Sequence, residues 1–311
     1  MRKYSLSQGL LSSPAMTPRR STAWFEAQYN NRQRVADSAE TLARWAQASV
    51  MVRERARCQL DLRYGPAPRQ TLDVFSPDSA FAGGFAPVLV VIHGGYRRSL
   101  DKSVYSFLAA IFTDEGALVV VPNYDLCPGA SIERIAMQMT EAVAWAWRHA
   151  AEHGGDPSRI VLIGHSAGGH LAAMLSCCDW KRVGRDLPRR LVQGAMSVSG
   201  VHDLAPLCGL PFLHDDLRLD AASARRLSPV HFPPPPAPQT LMAVVGAQES
   251  EEFRRQTRLI RAAWGARAVP VCEELPGCNH FSVLHDLADP QGRSHQLARH
   301  LLGLRWYSGL L

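Results

Sequence analysis

The chain has 311 residues, of which 46% are hydrophobic and 20% charged, and a formal charge of +6 at neutral pH. That length suits one large α/β domain with modest insertions and would cramp a second independent one. No apolar run approaches the roughly 18 residues of a membrane helix. The positive charge comes from scattered arginines, with no basic run interleaved with aromatics, so neither a membrane span nor a nucleic-acid surface is expected.

The N-terminal stretch MRKYSLSQGLLSSPAMTPRR has no continuous apolar segment and reads as no signal peptide. Residues 1–22 are expected to be disordered, with Met16 an alternative start to Met1. Residues 24–48 read as an amphipathic helical arm, and CQLDLRY and TLDVF, separated by the turn-rich GPAPRQ, read as a hairpin. From residue 87 onward the runs PVLVVIH, ALVVVPN, RIVLIGH, GAMSVSG, TLMAVVG and AVPVCEEL alternate with helical stretches. Continuous apolarity implies burial on both faces, so an α/β fold is expected: a mostly parallel, doubly wound sheet with flanking helices. Ile132, Ile135, Met139, Val143 and Ala146 recur at helical spacing and place one stripe against that sheet. Residues 202–238, with prolines at 233–236, break the pattern and are expected to form a small cap on a single domain spanning 23–311. Seven cysteines, with Cys177 and Cys178 adjacent, show neither metal-ligand nor disulfide spacing and fit reduced thiols in a cytoplasmic protein.

The stretch IVLIGHSAGGH at residues 160–170 carries the chemistry. Gly164-His165-Ser166-Ala167-Gly168 fits G-x-S-x-G between a strand and a helix, the context of a nucleophile elbow, so Ser166 is the expected nucleophile. A plain helix N-cap is the competing reading. The serine needs a base, and His280, in the loop ELPGCNHFSVL after the last strand, is the expected one; His285 is the fallback and His170 reads as structural. The acid should follow TLMAVVG, where Glu249 leaves the strand first, while Glu251 and Glu252 suit the first turn of a helix. His93-Gly94-Gly95-Tyr96 follows another buried strand and supplies candidate oxyanion donors in the backbone N–H groups of Gly94, Gly95 and Tyr96, joined by that of Ala167 after the nucleophile.

With these residues in place the chain resembles the kynurenine formamidase-like branch of the hormone-sensitive-lipase-type α/β-hydrolases. The shared stretches run from FEAQYNNR to HFSVLHDLADP and include YGPAPRQTLDVF, HGGYRRSLDKS, VPNYDLCP, GGDPSRIVLIGHSAGGHLAAML and GAQESEEFRRQ. The resemblance implies an α/β-hydrolase fold and a serine hydrolase that cleaves a carboxylic ester or an aryl formamide, with the triad on Ser166, Glu249 and His280. It implies no metal or organic cofactor and a small-molecule ester or formamide substrate, and it leaves a homodimer open. In that family the loop usually reads HGGYW or HGGxW; here Arg97 takes the tryptophan's place. Arg97 is therefore expected in the substrate pocket, facing a carboxylate, with snorkelling to solvent as the alternative. Tyr124, beyond another strand end, is the second expected substrate-binding residue, unless it orders its own loop. Two rivals share the sequence: an acyltransferase on the same triad, and a non-catalytic small-molecule-binding protein of the same fold.

Overall fold

The computed structural model describes residues 20–77 and 84–304. The strands are β1 (Cys58–Arg63), β2 (Thr71–Phe75), β3 (Ala86–Ile92), β4 (Leu118–Pro122), β5 (Gly155–His165), β6 (Val192–Val198), β7 (Leu241–Gly246) and β8 (Cys272–Leu275). They form one sheet in the order β1-β2-β4-β3-β5-β6-β7-β8. β2 pairs antiparallel with both β1 and β4, and every other neighbouring pair is parallel. GPAPRQ is the hairpin turn between β1 and β2.

Every residue of β3, β4 and β7 is buried, because helices cover both faces of the sheet. The pleat sorts the side chains alternately: Val88, Val90 and Ile92 enter one core, Leu89 and Val91 the other. The helix Ile132–His149 lays its whole stripe on the first face, with Ile132, Ile135, Met139, Val143 and Ala146 buried. Full burial of each larger aliphatic side chain contributes about 1.5–3 kcal/mol. The helices Ser38–Arg55, Phe107–Asp114 and Arg293–Leu302 cover the second face with Trp45, Leu108, Phe112 and Leu297.

The N-terminal arm departs from the expected continuous pattern. It is split into Thr22–Tyr29, Asn31–Arg34 and Ser38–Arg55. Asn30 leaves helical geometry, its own N–H still donating to Glu26 O, and its side chain accepts the N–H of Gln33 to start the second helix. The readings made for residues 1–19, including the choice between Met1 and Met16, lie outside the described residues; Ser21 caps the first helix through the N–H of Trp24. Between β6 and β7 the chain forms two short helices, Pro211–Leu217 and Ala221–Arg226. AVPVCEEL is strand only over β8. No helix among the described residues is long and apolar enough to cross a membrane.

Candidate active site

β5 ends at His165, and Ser166 follows with φ 56° and ψ −116° before the helix Ala167–Ser176. Left-handed backbone at a non-glycine residue costs about 1–3 kcal/mol and persists only where its surroundings enforce it. Here the enforcement is close backbone contact. A Cβ on Gly164 would lie 2.0 Å from Gly168 O, and one on Gly168 would lie 2.0 Å from Ile92 O, so neither position admits a side chain. Ser166 sits at the N-cap, yet its hydroxyl makes no capping bond. Its Oγ lies 3.1 Å from His280 Nε2 instead.

His280 stands on the loop after β8, and its Nδ1 lies 2.7 Å from Glu249 Oε2. The other carboxylate oxygen accepts the N–H of Gly246 at 2.8 Å and the Ser199 hydroxyl. Ser250, next in the chain, caps the following helix by accepting the N–H of Phe253, which separates Glu249 from the two helical glutamates. Glu251 pairs with Arg20 at the surface, and Glu252 takes the Tyr29 hydroxyl at 2.7 Å and the Arg255 guanidinium. A carboxylate at Nδ1 holds the proton there and leaves the Nε2 lone pair facing Ser166. Phe253 and His165 pack on the His280 ring at centroid distances of 4.6 and 4.9 Å. His285 is occupied elsewhere, accepting Trp45 Nε1–H at 3.1 Å. His170 donates Nε2–H to Leu227 O at 2.7 Å, tying the serine's helix to the segment between β6 and β7.

The loop after β3 runs directly over the elbow: a Cβ on Gly94 would lie 3.1 Å from Ser166 Cβ. Among the described residues the N–H groups of Gly95, Tyr96 and Ala167 meet no acceptor. Gly94 differs from the expectation, since its N–H is already given to the Tyr105 hydroxyl at 3.0 Å; that correction leaves Gly95, Tyr96 and Ala167 as available donors. Positive φ at Gly95, Tyr96 and Arg97, 108°, 53° and 59°, bends this loop tightly.

Tyr105 connects the parts of the site. Its hydroxyl lies 2.9 Å from His165 Nδ1, and His165 Nε2–H donates to His280 O at 2.8 Å. Burial, and secondarily the neighbouring His280, hold the His165 pKa well below its usual value, so the ring is neutral and Nδ1 accepts from Tyr105. Three backbone pieces are thereby fixed to one another: the glycine loop, the residue before the nucleophile, and the histidine loop. Tyr105→Phe should orphan Gly94 N–H and His165 Nδ1 in a buried site, lowering kcat about 10- to 100-fold with a smaller change in KM, as steady-state kinetics would show.

Ser166 and His280 line a cleft with Trp45, Leu100, Phe212 and Phe281 along its apolar walls. Among the described residues no group of three or more His, Cys, Asp or Glu side chains could hold a metal ion.

The BD-FAE family profile matches residues 72–214. The crystal structure of a protein described as a candidate thioesterase from Silicibacter sp. TM1040 superposes with a TM-score of 0.73 at 29% identity, covering 89% of this chain and 97% of that one. Kynurenine formamidase of Salmo salar is 28% identical over 254 residues, 80% of this chain and 83% of that protein. Kynurenine formamidase of Danio rerio is 31% identical over 245 residues, 76% of this chain and 80% of that protein. The chain belongs to the kynurenine formamidase family. It has the α/β-hydrolase fold and is a hydrolase.

Two residues expected to bind substrate lie elsewhere in this member of the kynurenine formamidase family. Arg97 is 1% exposed and absent from the cleft wall. The positive φ at Tyr96 and Arg97 turns the chain inward, Arg97 O accepts Cys127 N–H at 2.7 Å, and burial pushes the guanidinium pKa down, offset in part by the Tyr124 hydroxyl and the Cys127 thiol. Arg97 neither faces the pocket nor snorkels to solvent. Tyr124 is fully buried, stacks on His93 at 4.1 Å and donates its hydroxyl to His93 O at 2.8 Å, so it orders the glycine loop from beneath. Tyr105, Ser199 and Trp45 were not legible as site residues in this kynurenine formamidase-like sequence. His165 had a positional signal, as the variable residue before the nucleophile.

Proposed function

We propose that the chain is a serine hydrolase that cleaves an aryl formamide or a carboxylic ester through an acyl-enzyme on Ser166. The observation that carries this reading is the buried hydrogen-bonded row from Ser166 Oγ through His280 to Glu249, at 3.1 and 2.7 Å, beneath unoccupied backbone N–H groups. His280 Nε2 takes the proton of Ser166 as Oγ attacks the carbonyl carbon. The N–H groups of Gly95, Tyr96 and Ala167 stabilise the oxyanion, and Glu249 stabilises the imidazolium. His280 then gives its proton to the departing arylamine or alkoxide as the tetrahedral carbon collapses to the ester of Ser166. Water, deprotonated by His280, repeats the cycle and releases the acid.

The proposed cycle uses no metal or organic cofactor and only residues of one chain. We read residues 23–311 as one catalytic unit with a cap over 202–238, a reading supported by Phe212 of that segment in the cleft wall. A reducing, cytoplasmic setting is supported by seven free cysteines.

The substrate is tested by kcat/KM for N-formylkynurenine beside short-chain p-nitrophenyl esters, with Ser166→Ala as blank. Family membership favours the formamide by orders of magnitude; turnover of esters alone would make the chain a carboxylesterase.

A further inference from the structure

Tyr96 lends only a backbone N–H to the proposed cycle, and its side chain has no part in it. Its φ of 53° is left-handed, so the direction of that N–H depends on what holds the loop. Part of the hold is local: the N–H groups of Arg98 and Ser99 donate to Gly95 O, each at 3.1 Å. The rest comes from the N-terminal arm, more than sixty residues away in the chain. The Tyr96 hydroxyl donates to Tyr29 O. Arg32 donates to Ser99 Oγ at 3.2 Å, and that hydroxyl donates in turn to Gly95 O at 3.1 Å.

The break at Asn30 makes Tyr29 O available. In a continuous helix that carbonyl would accept the N–H of Gln33; here the Gln33 N–H turns to the side chain and carbonyl of Asn30. No backbone N–H among the described residues reaches Tyr29 O, so the Tyr96 hydroxyl satisfies it. The other end of Tyr29 is also held. The residue is fully buried, its hydroxyl donates to Glu252 Oε2 at 2.7 Å and accepts from Gln256 Nε2 at 2.9 Å, and its ring packs on Phe253. Glu252, Phe253 and Gln256 belong to the first turns of the helix Glu251–Ala268, which starts directly beyond Glu249, and Phe253 packs on His280 as well. Tyr29 therefore spans from the oxyanion loop to the helix that follows the triad acid.

We propose that Tyr29 and the Tyr96 side chain are positioning residues for the hydrolysis: Tyr29 is a strut, fixed to the helix behind Glu249, that holds the Tyr96 N–H on the oxyanion. This rests on the hydrolase reading above and makes the N-terminal arm a working part of the site. Both side chains act through the Tyr96 backbone and not on the reacting atoms. Their effect falls on the charged tetrahedral state, which needs that N–H, and little on the neutral bound substrate.

The test is Tyr96→Phe, which keeps the ring against Phe212 and removes only the hydroxyl, beside Tyr29→Phe and the double variant. Turnover of p-nitrophenyl acetate is divided by the number of sites that a fluorophosphonate labels at completion, so unfolded protein drops out of the comparison. Tyr96→Phe should lower kcat per labelled site about 10- to 30-fold, with KM within about twofold. Phenylboronic acid, whose adduct with the serine places an oxygen on the same donors, should bind more weakly by a similar factor. Tyr29→Phe keeps the carbonyl contact and frees the far end of the strut, and should cost about three- to tenfold; the double variant should lose less than the product of the two, since both act along one strut. A merely structural bond would reduce the number of labelled sites and leave kcat per site and the boronate affinity unchanged. That result would overturn the proposal, as would fully multiplicative losses in the double variant. Failure of the hydrolase reading looks different, because the wild type itself would then neither label nor turn over the ester.

Discussion

Ser166→Ala is expected to lower kcat by about 10⁴- to 10⁶-fold, with KM changed only a few-fold. The size follows from what the hydroxyl does and does not do in the fold. It makes no capping bond to the helix it starts, and its contact is with His280 Nε2 at 3.1 Å. Removing it takes away the attacking atom and no structural hydrogen bond. Alanine is as strained as serine at φ 56°, so the melting temperature should stay within about 2 °C of wild type. The residual rate measures the oxyanion donors and substrate positioning alone. A fall of less than about tenfold, measured on highly purified variant, would mean that another group attacks.

Glu249→Gln is expected to lower kcat by about 10³- to 10⁴-fold at neutral pH, although the side chain is nearly isosteric. Oε1 accepts two donors, Gly246 N–H and the Ser199 hydroxyl, and only the amide oxygen of a glutamine can keep both. The amide nitrogen must then face His280 Nδ1. An N–H at that point turns Nδ1 into the acceptor and moves the ring proton to Nε2, where it points at Ser166 and removes the lone pair that takes the serine's proton. Kinetics beside a thermal melt check this: a large loss of kcat in a folded variant is the expected pair, and near-wild-type kcat would place the acid elsewhere.

The sequence was most informative where backbone sterics dictate residue type. Gly164 and Gly168 touch neighbouring carbonyls, so their spacing around a serine could be read directly. Glu249 could be told from Glu251 and Glu252 because Ser250 starts a helix between them. Residues that reach the site across the chain left no local mark. Tyr105 meets Gly94 and His165 only after the second-face helices dock, and Trp45 looks like any other residue of an amphipathic helix. Arg97 shows a different limit: its pattern position was clear, but two successive positive φ values decide where its side chain goes. Tyr124 followed the same logic, with its hydroxyl drawn to His93 O beneath the loop. The split at Asn30 rests on one side-chain cap that a hydrophobic period does not register.

The most direct measurement of the central claim is intact-mass and peptide analysis of the protein after reaction with a fluorophosphonate. The account predicts one covalent adduct per chain, mapped to Ser166 and absent from Ser166→Ala. No adduct on the folded protein, or equal labelling of wild type and Ser166→Ala, would contradict it.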